Sequence, residues 1–136
     1  MRIFDKLSNL LGPSGRSASQ TSFDGKIEEM GDLDAVEIQS GTRMQVIYKH
    51  SNRCPLCHMA MRQVRDAIEK AGKQADFYLL DVIASRPVSM AAAERWGIHH
   101  ESPQVLLIDD GNVAWHVAHR GVKADAIINQ LGFEMV

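Results

Sequence analysis

Hydrophobic and polar positions along this chain follow two different periods. From Cys54 to Ala71 the apolar residues Cys57, Ala60, Met61, Val64, Ala67, Ile68 and Ala71 recur at steps of three and four. That spacing lines one face of an α-helix. Gly72 follows, at the position where helices often end on a left-handed residue. Met44–Lys49 (MQVIYK) and Asp76–Val82 (DFYLLDV) are instead compact runs of apolar, β-branched and aromatic residues, and read as buried strands. Gln104–Ile108 and Asn112–Val117 are two further strands, joined through Asp110–Gly111, a pair suited to a hairpin turn. Pro87 at N1 opens a helix that Trp96 ends before Gly97. Asp32–Ile38 reads as a short helix stopped near Gly41, and Asp125–Leu131 as a closing helix with Gly132 beyond it. Lys26–Met30 reads as a short edge strand.

The predicted order is β-α-β-α-β-α-β-β-α. Alternating strands and helices imply parallel pairing through crossover helices. The terminal hairpin adds an antiparallel strand. The expected fold class is α/β, with a small mixed central sheet flanked by helices on both faces. Gly12–Ser22 (GPSGRSASQTS) is small and polar, too poor in apolar surface to order itself. Residues 1–22 are therefore expected to be a flexible extension, and residues 23–136 the domain. Within the extension Ile3, Phe4, Leu7, Leu10 and Leu11 fall at helix-like spacing, which suits an amphipathic turn or a docking or membrane-surface helix. No run approaches the roughly 18 apolar residues of a membrane span or the 7–15 of a secretory core, and the expected location is cytoplasmic.

Composition narrows the function classes. The 136 residues are 45% hydrophobic, enough for one core. Fifteen basic against 17 acidic residues leave a net charge of −2, without the positive excess of a nucleic-acid backbone binder. Two cysteines exclude a disulfide-stapled scaffold.

Those two cysteines carry the chemistry. Cys54-Pro55-Leu56-Cys57 lies where a buried strand turns into the strongest helix. Cys54 falls at or beside the N-cap, where unpaired N–H groups and the helix dipole stabilise a thiolate. Arg53 and Lys49 add nearby positive charge as candidates for lowering its pKa, and His50, just before the loop, is a third. Pro55 starts the helix without wasting an amide. Cys57 lies one turn deeper and continues the buried stripe. This predicts an exposed nucleophile, Cys54, and a shielded resolving thiol, Cys57. The same letters admit two structural thiols, a haem-attachment motif (CxxCH, completed by His58), or a zinc site completed by His50, His99 or His100. Haem attachment calls for a helical wrapping fold and an export signal, and zinc for two more ligands. The site reading therefore contains no metal. His116 and His119 read as sheet positions, and Arg62, Arg65 and Lys70 with Asp66 and Glu69 as a solvated helix face. Ser102-Pro103 precedes a strand, where a proline lacking N–H is tolerated.

The strand–CxxC–helix unit, Trp96-Gly97-Ile98, Ser102-Pro103 and the Asp110-Gly111 hairpin together resemble a thioredoxin. Lys49-His50-Ser51 before Cys54-Pro55, Arg86-Pro87-Val88-Ser89, His100-Glu101-Ser102-Pro103-Gln104-Val105-Leu106-Leu107-Ile108 and Val113-Ala114-Trp115-His116 resemble the YtxJ-type, monothiol bacilliredoxins over about residues 24–133. The resemblance implies a thioredoxin-like fold and a thiol–disulfide oxidoreductase that removes bacillithiol from protein mixed disulfides. Cys54 would accept the low-molecular-weight thiol. Pro55, Ser102 and Pro103 would help hold the substrate, with Ser102-Pro103 as a cis-proline pair facing the motif. Bacillithiol would be a co-substrate, with no bound cofactor. The partners would be bacillithiolated or disulfide-containing client proteins, with no nucleic acid and no integral membrane segment. Two departures stand out. That family carries a non-cysteine, often Ser, where this chain has Cys57. Thioredoxins have an acidic residue six before the first cysteine, where this chain has Tyr48, and Trp where it has Arg53. A general dithiol reductase, and a thiol sensor or metal-binding module without turnover, are the competing readings.

Overall fold

The computed structural model describes residues 22–132. The expected extension therefore lies outside the described residues, except for Ser22. Five strands form one sheet: β1 (Gly25–Lys26), β2 (Gln45–His50), β3 (Asp76–Asp81), β4 (Gln104–Asp109) and β5 (Asn112–Ala118). Their spatial order is β1-β3-β2-β4-β5. Four helices accompany them: α1 (Met30–Gln39), α2 (Pro55–Ala71), α3 (Arg86–Trp96) and α4 (Ala124–Gln130). A 3₁₀ turn, His119–Gly121, links β5 to α4.

Alternation along the strands sorts two cores onto the two sheet faces. Val46, Tyr48, Phe77, Val105 and Leu107 point to one face and meet Ala60, Val64 and Ile68 of α2 with Ile127 and Ile128 of α4. Ile47, Tyr78, Leu80, Leu106 and Ile108 point to the other and meet Leu33 and Val36 of α1 with Val88 and Ala92 of α3. Each large aliphatic side chain so buried contributes about 1.5–3 kcal/mol relative to exposure.

Three local expectations shift. The first helix starts two residues before Asp32. The Asp32 carboxylate caps it by accepting the Glu28 and Glu29 N–H groups at 2.8 and 3.0 Å, so Asp32 is the third helical residue. This consumes part of the expected edge strand, and β1 is only Gly25–Lys26. Pro87 takes the second helical position, because Ser85 is the N-cap and Arg86 the first residue.

The third shift matters for function. β1, β2 and β3 are mutually parallel, but β4 already runs antiparallel to β2, with Lys49 opposite Gln104. The reversal thus comes before the terminal hairpin, not only within it. It brings the start of β4, and the residues just ahead of it, to the end of β2 where the cysteine loop begins.

Candidate active site

β2 delivers the chain to the loop 51–53, and Cys54 then caps α2 with extended backbone (φ −108°, ψ 117°). Pro55 stands at the first helical position. The Ser51 carbonyl accepts the Cys54 N–H at 3.3 Å, and the Ser51 hydroxyl accepts the Arg53 N–H at 3.2 Å, closing the loop on itself. Cys54 is half-buried and Cys57 fully buried, both as free thiols. The Cys57 N–H, first among several influences, lowers the Cys54 pKa, helped by the Cys57 thiol and the Leu56 N–H. Burial raises that of Cys57, partly offset by the Ser102 hydroxyl and a Ser51 backbone contact. The two sulfurs thus differ in access and acidity in the direction an attacking and a resolving thiol require.

Ser102 and Pro103 face the motif. Their peptide bond is cis. Ser102 Oγ lies 3.4 Å from Cys57 Sγ. The Pro103 carbonyl accepts the His119 N–H at 2.9 Å, tying this loop to the turn after β5.

Beneath the helix start lies Tyr48, six residues before Cys54. It is fully buried. Its hydroxyl donates to the Cys57 carbonyl at 3.0 Å, and its oxygen lies 2.9 Å from His50 Nδ1. His50 thus lies between the Tyr48 hydroxyl at Nδ1 and Asn52 Oδ1, 2.9 Å from Nε2. Burial lowers the His50 pKa, opposed by Asn52 and Asp81. Burial, then the charge of the two cysteines, raises that of Tyr48. His50 therefore reaches the motif through Tyr48 and the Cys57 carbonyl.

Lys49 lies elsewhere. Strand alternation sends its side chain to the α3 face, fully buried, where Nζ donates to the Ser89 carbonyl at 3.0 Å and approaches His100 Nδ1 at 3.3 Å. The Ser89 hydroxyl lies 3.2 Å from the same nitrogen. Burial lowers the Lys49 pKa to about 8. Burial, then Lys49 and Arg86, lowers that of His100. The lowering at Cys54 comes first from the Cys57 N–H, against an opposing effect of burial, with the Cys57 thiol and the Leu56 N–H adding to it. Lys49 thus stands on the sheet face opposite Tyr48 and His50, because a single-residue step along a strand reverses the face. Arg53 is exposed and lines a shallow depression with Asn52, Asp81, Ile83 and Ala84. Sequence reasoning missed the Lys49–Ser89–His100 cluster, whose only sequence signal is a lysine at an inward position of a buried strand. Among the described residues, no three of His, Cys, Asp and Glu gather as metal ligands.

The sequence model of the family described as monothiol bacilliredoxin BrxC matches residues 25–127. The chain belongs to the monothiol bacilliredoxin family. It is a thiol–disulfide oxidoreductase with the thioredoxin fold. Solved structures support that fold. A protein described as an oxidoreductase with a thioredoxin fold is 23% identical, with a TM-score of 0.70, covering 79% of this chain and 92% of the other. The Malassezia sympodialis thioredoxin Mala s 13 is 17% identical, with a TM-score of 0.67 and coverages of 86% and 94%. A Halobacterium salinarum thioredoxin is 20% identical, with a TM-score of 0.63 and coverages of 89% and 99%. The α/β sheet shared with them is not the helical wrapping fold that haem attachment calls for. Among the described residues no helix is long and apolar enough to cross a membrane.

Proposed function

We propose that this enzyme removes bacillithiol from mixed disulfides on client proteins, with Cys54 as nucleophile. The observation that carries the assignment of roles is the contrast between the two thiols: Cys54 half-open with a lowered pKa, Cys57 buried with a raised one. The Cys54 thiolate attacks the bacillithiol sulfur. A Cys54–bacillithiol disulfide forms, the bond to the client breaks, and the electron pair leaves on the client sulfur, which takes a proton from solvent. No cofactor is required for this exchange, and bacillithiol is the co-substrate. Ser102 and Pro103 border the site on the side facing Cys57, and Pro55 holds the helix start in place. The cytoplasm, where thiols are kept reduced, suits this chemistry.

Cys57 favours a second way to finish the cycle. In the monothiol route a free bacillithiol thiolate attacks the adduct, releasing bacillithiol disulfide and restoring Cys54. In the dithiol route Cys57 attacks Cys54 Sγ, an internal disulfide forms and bacillithiol leaves as thiolate. An external dithiol must then supply two electrons. Intact-mass analysis after exposure to bacillithiol disulfide or oxidised glutathione tests both levels. The expected result is a Cys54 adduct formed preferentially with bacillithiol, which accumulates in Cys57→Ser and is absent in Cys54→Ser. Equal adducts with both thiols would point to a general reductase. No adduct and no turnover of any mixed disulfide would point to a sensor.

A further inference from the structure

The turn after β5 carries charge that the exchange above does not use. His119, Arg120, Val122 and Lys123 form one wall of a groove of about 230 Å³. Leu56 of the cysteine motif and Met59, Ala60 and Gln63 of α2 form the other. The groove is the size of a small polar group rather than of a folded segment. Buried Ala60 and Val122 make its floor apolar, while Arg120 and Lys123 stand exposed at its rim. Neither basic side chain has an ion-pair partner among the described residues. His119 Nε2 lies 3.3 Å from Glu101 Oε1, so that carboxylate is engaged with the histidine. None of the eight lining residues is acidic, in a protein of net charge −2. The turn is also fixed relative to the thiols. The Pro103 carbonyl holds the His119 N–H, and the Ala124 N–H donates to Gln63 Oε1 of α2 at 2.8 Å.

We propose that this groove receives the carboxylate-bearing part of the low-molecular-weight thiol, with Arg120 and Lys123 binding its oxygens while its sulfur lies against Cys54. This rests on the reading of the substrate as a small-thiol mixed disulfide. An Arg guanidinium matches a carboxylate with two parallel N–H donors, and a Lys ammonium adds a point charge. The subsite gives the attack a direction. A mixed disulfide has two sulfurs, and which one is attacked decides which thiol leaves. Anchoring the anionic half beside Leu56 presents that half's sulfur to Cys54. The small thiol then stays on the enzyme and the client leaves.

The test uses the full chain carrying Cys57→Ser, so that the adduct persists. Rates of adduct formation are measured with bacillithiol disulfide, which bears malyl carboxylates, and with neutral 2-hydroxyethyl disulfide. The expected result is a rate ratio favouring bacillithiol disulfide that falls about tenfold in Arg120→Ala/Lys123→Ala, and about threefold in either single variant. Arg120→Lys should recover part of the loss, and the ratio should shrink as salt is raised. An unchanged ratio in the double variant, or an equal loss with both disulfides, overturns the proposal. So does a loss confined to client proteins with acidic flanking segments, which would assign the groove to the client. Failure of the underlying reading looks different: the unsubstituted groove would then form no adduct with either small disulfide while the wild-type chain still reduced a protein disulfide.

Discussion

Cys54 and Cys57 are the same residue type three positions apart, and their difference arises from where the helix begins. Cys54 caps α2 and meets the N–H groups that lower its pKa; Cys57, one turn in, is sealed beneath the helix and pushed the other way. In single-cysteine variants, the alkylation rate of Cys54 should therefore rise at a lower pH than that of Cys57. Coincident profiles would remove the assignment of attacking and resolving thiols. Ser102 is one of the groups holding the Cys57 pKa down. Ser102→Ala should raise it further and slow release of bacillithiol from the Cys54 adduct at neutral pH, read by rapid-quench mass analysis. Lys49 has its own signature. Its folded pKa, about 8, lies below the ordinary lysine value of 10.5. Between those values the unfolded chain binds more protons, so this residue's contribution to stability rises with pH across the window. Below about pH 8 the full cost of burying the charge is present. Denaturation of wild type and Lys49→Met from pH 7 to 10.5 should show the wild type gaining on the variant by about 1–3 kcal/mol. A flat difference would mean that Lys49 keeps its ordinary pKa in the folded state and stays charged across the window.

At the scale of elements, the functional segments are the connections between strands and helices. The helix start at Cys54 and the stop at Gly72 were both readable, because capping chemistry and 3.6-residue periodicity are local. The turn after β5 was not. Its sequence, His119-Arg120-Gly121, reads as the tail of a strand. Only packing shows His119 with positive φ and Gly121 pressed against the strand before it. A Cβ at Gly121 would lie 2.5 Å from Val117 Cγ2, and valine is stiff at χ1. Gly121→Ala should destabilise the fold by about 1–3 kcal/mol by thermal denaturation. It should also displace the Arg120 wall of the groove, lowering the preference for bacillithiol disulfide over a neutral disulfide. Tyr48 works between elements, pinning the α2 start to β2 through the Cys57 carbonyl. Tyr48→Phe leaves the buried His50 Nδ1 without its partner and should cost about 1–3 kcal/mol. An NMR titration of His50 should show its pKa change in the same variant.

For the whole molecule, the family match begins at residue 25, beyond the linker-like stretch. Removing residues 1–22 should leave the thermal midpoint and adduct formation at Cys54 unchanged; a large drop in either would show that the apolar residues of the first eleven belong to the domain. Much of this protein was determined by sequence alone: the succession of strands and helices, the buried stripe of α2, the cysteine pair at a helix start and the expected order of access to the two sulfurs. All of these follow from periodicity and capping, which act over a few residues. Tertiary structure decided what depends on strands meeting across the sheet. β4 turned against β2 and carried Ser102 and Pro103 to Cys57, 45 residues away in the chain at Ser102. Lys49, two residues before Ser51 in the chain, went to the opposite face with Ser89 and His100, while Tyr48 and His50 stayed under the helix. Arg120 and Lys123 came beside Leu56. Local rules place a residue on a strand, but which neighbours it meets there is set by sheet order and face. Those are settled only when both cores close around the sheet.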